Sequence, residues 1–385
     1  MKLIVRAVAL LTLILPVGMA GALILVSQAQ GVPEIGGQKV VTLTRTAIST
    51  TKPEFTSITV LPGRGMEVLQ ITANFPGKGN VDMLTSPDLA TAAKTLDEQD
   101  NELGGKSVTM GAAFLIPYPN RVRGKLSEDG KTLTTEWQGH SIVLPVGAPR
   151  RPGAEVFAMH GLISKAKTSE VKVNKVADGE EVTGVIEAGD FGGHWLSKTR
   201  LSITIRLAGD AVDASVVARN VGKEPEPMAI GWHPYFNLPS GDRTQARLSV
   251  PGSTVAEVES NGNIPTGKLL PVDGTKFDLR SSGGTVLAGT SFDDNWSHLD
   301  RKGGAATVQV IDPAAHYGVS IEGLSPEIKT IQVFAPAARN FVAVEHQYNF
   351  VDPFDSQWGS MDTGMVTLKP GKSTEWHVRL RVLVP

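Results

Sequence analysis

From Phe55 to the C-terminus the sequence is a succession of short β-branched or alternating runs, cut by glycine and proline turns. That punctuation leaves little length for helices and predicts strands. The clearest runs are Ser57 to Leu61, Met66 to Ala73, Leu133 to Trp137, Glu170 to Val176, Leu201 to Leu207, Thr330 to Phe334, Val342 to Glu345 and Glu375 to Leu383. Turn sequences such as Glu128-Asp129-Gly130-Lys131 and Lys369-Pro370-Gly371-Lys372 separate them. Two stretches have helical composition, 88–103 and 336–339. The expected class is all-β, a large antiparallel β-sandwich in which strand-end polar residues converge on one concave face.

No linker, repeat or low-complexity tract interrupts 55–385, so this span reads as a single domain despite its length. Residues 30–54, with Pro33, Gly36, Gly37 and Pro53, read as a tether or an early edge strand. Ahead of them, Lys2 and Arg6 precede an apolar run from Ala7 to Val26. Gly18-Met19-Ala20 within the run and Ser27-Gln28-Ala29 just after it each suit a small-x-small cleavage site. Residues 1–29 are therefore expected to export the chain, as a signal peptide or as an uncleaved N-terminal membrane anchor. The globular part would then be periplasmic or secreted.

Composition closes off several functions. The 37 basic and 39 acidic residues nearly balance and form no basic block, so nucleic acid is not expected as a partner. The absence of cysteine removes disulfides, thiolate nucleophiles and thiolate metal sites.

What remains is concentrated in a few polar motifs. Gly231-Trp232-His233-Pro234-Tyr235-Phe236-Asn237-Leu238 follows a strand-like run and reads as a tight His-Pro turn holding an imidazole in an aromatic-lined cleft suited to a sugar. By itself His233 would be read as a buried histidine bonded to backbone. Three further segments place polar groups beside apolar stretches: Asn120-Arg121, Met159-His160-Gly161, and Val342-Ala343-Val344-Glu345-His346-Gln347. Glu345 ends an apolar run that would raise its pKa. His346, its neighbour, should face the opposite side of the strand.

The order Asn-Arg, His-Gly, His-x-Tyr-Phe-Asn-Leu, Phe-Asp-x-Asn and hydrophobic-Glu-x-Gln resembles the aldose 1-epimerase (galactose mutarotase) family, from about residue 55 to the C-terminus. The resemblance implies the β-sandwich called a supersandwich and a cofactor-independent isomerase acting on a monosaccharide. It implies Glu345 as the base that takes the C1 hydroxyl proton and His233 as the acid that protonates the ring oxygen. His160 would support charge developing near that oxygen, and Arg121, Asn120, Asp293 and Tyr235 would bind the sugar. Two positions depart from the family pattern: Asp294 stands where histidine is frequent, and Tyr348-Asn349-Phe350-Val351-Asp352-Pro353 replaces the usual continuation after the glutamate.

No metal is expected, since the helical His-Glu-x-x-His spacing is absent. The other histidines, His140, His194, His298, His316, His346 and His377, are assigned structural or surface roles. Two alternative readings are a non-catalytic carbohydrate-binding protein of the same fold and a hexose-6-phosphate 1-epimerase. The latter would use Arg123, Arg150 and Arg151 on the phosphate.

Overall fold

Alternation in the sequence reappears as alternation of burial. In the strand Thr199–Ala208, Leu201, Ile203, Ile205 and Leu207 are buried while Arg200, Ser202, Thr204 and Arg206 are half-buried or exposed. Such a strand has one face on a core and one toward water. In a computed structural model describing residues 33–101, 103–147, 155–259 and 264–385, strands of this kind assemble into two large antiparallel sheets. The export segment at 1–29 lies outside the described residues, as do Arg150 and Arg151. Among the described residues no helix is long and apolar enough to cross a membrane.

The first sheet has eleven strands among the described residues. Its path runs Pro265–Pro271, Gly252–Val258, Phe292–Leu299, Thr330–Ala335, Phe341–Gln347, Gly231–Asn237, Ala112–Leu115, Glu67–Phe75, Glu54–Leu61, Val41–Thr44. Gly79–Asp82 pairs outside this path, against Glu67–Phe75. The second sheet has nine strands, with Val212–Asn220, Ser373–Leu383 and Tyr317–Gly323 at its centre. Between the two, Trp232 from the first sheet meets Trp376 from the second at a ring separation of 6.3 Å, with Phe114 against both. These rings are fully buried and anchor the main core.

The expected helix is Leu89–Asp97, capped by Asp88, whose side chain accepts from Thr91 N at 2.9 Å. It stops short of Leu103 because Gln99–Asn101 forms a separate tight turn. Residues 336–339 are not helical. Arg339 N donates to Pro336 O at 3.0 Å and closes a single turn.

The folded unit begins at Pro33 rather than near Phe55. Val41–Thr44 is the edge strand of the first sheet, and Gly36 N donates to Asp97 Oδ1 at 3.0 Å, so 33–54 is part of the body and not a tether. Strands at Ala112–Leu115, Gly252–Val258 and Phe292–Leu299 are also additions. Their buried, glycine-bearing or polar sequences lack the alternation by which the others are recognised.

Glu67 sits wholly buried on the first sheet near Ser107 and Arg64, and burial pushes its carboxyl up to about 8. Each unit of such a shift is worth about 1.4 kcal/mol. The folded state then holds a proton that the unfolded chain releases, so this carboxyl costs stability progressively as pH rises from the ordinary carboxylate value toward 8. The urea midpoint of the wild type should fall between pH 5 and pH 8, and Glu67→Gln should flatten that fall by an amount on the order of 1–3 kcal/mol. Equal slopes for the two proteins would show that Glu67 is not held protonated.

Candidate active site

The site is created by register between two neighbouring strands. Gly231 pairs with Gln347 and Tyr235 with Ala343, and the same register sets His233 opposite Glu345. Side chains opposite one another on antiparallel strands share a face and nearly touch. His233 Nε2 accordingly lies 3.1 Å from Glu345 Oε1. The motif expected as a His-Pro turn is thus the strand Gly231–Asn237. Pro234, which has no N–H to give, falls inside the stretch where pairing to the glutamate strand is interrupted.

Alternation sorts the remaining side chains. Trp232 and Phe236 enter the core while His233 and Tyr235 face the site. On Phe341–Gln347, Val342 and Val344 enter the core with His346, whose Nε2 is 2.9 Å from Ala306 O. Glu345 and Gln347 face the site, and Gln347 Nε2 donates to Glu345 Oε2 at 2.6 Å. His346 therefore faces away from the proposed base, as expected.

The row continues across the sheet. Gln332 pairs with Glu345, and Asn295 pairs with Gln332. In the other direction Ala113 pairs with His233. Gln332 ties the row together, accepting from Asn120 Nδ2 at 3.0 Å and donating to Asp293 Oδ1 at 2.9 Å. Arg121 NH2 lies 3.6 Å from Asp293 Oδ2, and its guanidinium carbon stands 5.9 Å from the centre of the Phe157 ring. Asp293 rather than Asp294 thus joins Gln332 and Arg121; Asp294 Oδ2 accepts from Asp293 N at 3.1 Å.

Loops supply the other wall. The short pair Arg121–Val122 with Ala158–Met159 holds Asn120 and His160 together, and His160 N donates to Asn120 O at 2.8 Å. Asn120 and His160 both adopt positive φ, of 63° and 60°. Gly161, at φ 79°, has its own reason to be glycine: a Cβ there would sit 2.3 Å from Ile116 O. The His160 ring meets that of His233 edge-on with centres 5.2 Å apart, and Tyr235 stacks on His233 at 4.6 Å. The Tyr235 hydroxyl donates to Val108 O at 2.8 Å, which fixes the ring against the imidazole.

Burial decides the charge state of the central pair. It pushes the Glu345 carboxyl well above its ordinary range, with the charge of Asp293 adding to the rise and the Gln347 hydrogen bond and Arg121 opposing it. It pushes His233 down to about 4. The 3.1 Å contact is therefore a neutral carboxyl donating to a neutral imidazole, one proton shared by two groups, rather than an ion pair. Ligating atoms of His160, His233 and Glu345 lie within 4.8 Å of one another, so this trio has the donors to hold a metal ion.

All seven residues singled out in the sequence lie in this cluster. Gln332 was not foreseen, although a single glutamine in Thr330–Ala335 marks a polar face on an otherwise apolar strand. Arg123, a candidate phosphate ligand, is paired with Asp355. Nitrogen-15 spectra should show the His233 ring neutral at pH 6 and charging only near pH 4. A midpoint at the ordinary value of about 6.5 would contradict the neutral pair.

The sequence profile described as aldose 1-epimerase matches residues 79–381. No curated protein sequence matches the chain. Among solved structures, the chain resembles a galactose mutarotase-like protein from Clostridium acetobutylicum at 18% identity and a TM-score of 0.69, covering 90% of this chain and 98% of that one. It also resembles a GalM/aldose epimerase homologue from C. elegans at 18% identity and 0.63, covering 89% and 99%. Galactose 1-epimerase from Lactobacillus acidophilus NCFM aligns at 14% identity and 0.61, covering 89% and 98%. At these identities the structures speak for the fold, and the profile, which spans most of the sequence, for the lineage: the chain belongs to the aldose 1-epimerase family.

Proposed function

We propose that this chain interconverts the α and β anomers of free aldoses by acid–base ring opening and reclosure on the His233–Glu345 pair. The observation that carries the reading is the buried 3.1 Å contact between those two side chains, ringed by groups that donate to and accept from hydroxyls.

The reaction removes the proton from the C1 hydroxyl as C1 becomes a carbonyl, breaks the C1–O5 bond and delivers a proton to O5. Rotation about C1–C2 and the reverse steps give the other anomer. One group must accept a proton while the other donates one. The pair already holds the single proton this needs. In the free site it rests on Glu345; a sugar whose C1 hydroxyl donates to Glu345 and whose O5 accepts from His233 favours moving it to the imidazole. Arg121, which opposes the rise of the Glu345 pKa, helps hold the carboxylate form. His160 stands beside the His233 ring to support charge near O5, and Tyr235 keeps that ring in place. Asn120, Arg121, Gln332 and Asp293 are linked by hydrogen bonds and ionic contact and offer the sugar hydroxyls both donors and acceptors. Export by residues 1–29 belongs to the same reading and would place the activity outside the cytoplasm.

Polarimetry of freshly dissolved α-glucose and α-galactose tests the proposal. The wild type should accelerate mutarotation, Glu345→Gln should abolish the effect, and His233→Asn should lower it by about 10² to 10⁴. No acceleration by the wild type would leave a sugar-binding protein of the same fold. The rate should fail below about pH 4, where His233 gains a second proton for the pair, and fall again as pH rises through the raised pKa of Glu345, where the pair loses the proton it shares. A chelator should leave the rate unchanged; loss of rate, restored by a divalent ion, would assign the His160, His233 and Glu345 trio to a metal instead.

A further inference from the structure

His160, His233 and Glu345 bring two imidazole nitrogens and a carboxylate oxygen within 4.8 Å of one another. Among the described residues no other three histidine or acidic side chains meet in this way. We propose that the trio binds a divalent ion of the zinc class, and that the bound ion closes the site by competing with the sugar. The binding stands on the geometry alone, whereas the inhibition rests on the mutarotase reading.

The central pair already has nearly the spacing of two ligands on one ion. Zinc takes nitrogen and carboxylate oxygen at about 2.0–2.2 Å in tetrahedral geometry, which sets neighbouring ligand atoms about 3.3–3.5 Å apart. His233 Nε2 and Glu345 Oε1 are 3.1 Å apart, on strands whose register holds them there. An ion bound to both replaces the proton they share, which is released to solvent.

The third ligand is the adjustable one. His160 follows the two-residue strand Ala158–Met159 and is half-buried, its ring edge-on to that of His233 at 5.2 Å. A shift of about 1.4 Å brings the widest gap in the trio to ligand spacing. Water completes the tetrahedron, as at other zinc sites with two histidines and a glutamate.

Donor chemistry selects the ion. Two imidazoles with a single carboxylate suit zinc, copper, nickel or iron, while magnesium and calcium ask for a shell of oxygens. Gln347 Nε2 donates to Glu345 Oε2 at 2.6 Å, which leaves Oε1 to face the ion, and Tyr235 stacked at 4.6 Å holds the plane of the His233 ring. Contacts of this kind orient the ligands of a metal. Asp293 and Arg121 face each other at 3.6 Å and offset each other's charge, so the charge of Glu345 is left for the cation.

Competition follows from the groups that are used. The ion occupies His233 and Glu345, the two side chains that must exchange protons with the sugar, and both ligands cannot have them at once. An ion needed for turnover would make a chelator inhibit; here added zinc inhibits.

The test titrates zinc sulfate into the full chain, free of affinity tags and stripped of metal by chelator and dialysis. Binding is followed by calorimetry and mutarotation of α-galactose by polarimetry. The wild type should bind one ion tightly and magnesium sulfate should not displace it. Zinc should slow mutarotation over the range in which it fills the site, and galactose should weaken its binding. Glu345→Gln and His160→Ala should each lower zinc affinity by about tenfold or more, at least the loss seen when a contact behind a ligand is removed. His160→Gln serves if the alanine variant does not fold. The proposal is overturned if the folded wild type binds no zinc, if the folded variants bind it as tightly as the wild type, or if bound zinc leaves mutarotation unslowed. Absence of turnover in zinc-free protein with every sugar would overturn the mutarotase reading alone, since the titration decides the metal site independently.

Discussion

The register that sets Gly231 against Gln347 and Tyr235 against Ala343 is the constraint on which the site depends. Side chains alternate with a period of two, so a slip of one residue would send His233 or Glu345 into the core and bring Trp232 or His346 out. The core resists that slip. Trp232 is packed between Phe114 and Trp376, and Trp376 Nε1 donates to His346 O at 3.0 Å, so the second sheet grips both site strands from behind. Apolar packing in the core and acid–base geometry on the opposite face are thus two consequences of one alignment.

That face is costly to maintain. Val68 pairs with Ala112 and Ala113 with His233, so one line across the sheet runs Glu67, Ala113, His233, Glu345, Gln332, Asn295, nearly all of it polar and buried. Among the described residues, neither atom of the Asn295 amide has a hydrogen-bond partner. Groups of this kind cost about 1–3 kcal/mol each. A sheet selected for stability alone would carry valines there, and the large two-sheet core is what makes the row tolerable.

Strands and motifs were legible to different degrees, for physical reasons. Surface-facing strands such as Glu170–Val176 carry turns at both ends and could be read directly. Strands buried on both faces, such as Ala112–Leu115, lose their alternation and with it their signature. His233 and Glu345 could be found because each stands in a motif with a known relative. The strand form of His233-Pro234 could not, because proline punctuates local sequence in the direction of a turn and only the neighbouring strands keep it extended. Gln332 escaped notice because it lies in no motif, and its meaning comes from the two neighbouring strands and the loop that bring Asp293, Glu345 and Asn120 around it.

The pair's electrostatics follow from the same burial. Water would ionise the carboxyl and leave the imidazole to titrate alone; exclusion of water pushes the two pKa values past each other, so the unliganded pair is uncharged. In the proposed reaction, charge separation within the pair would then be induced by the sugar, through hydroxyls that satisfy the carboxylate and a ring oxygen that takes the imidazolium proton. A site arranged in this way holds its proton where it can move either way, which is what the proposed reaction, run from either anomer, would require. In the proposed mutarotation the direction of transfer reverses between ring opening and ring closure, and the face of the aldehyde that recloses sets only the anomer, so the protein has only to keep His233 and Glu345 within reach of the same proton.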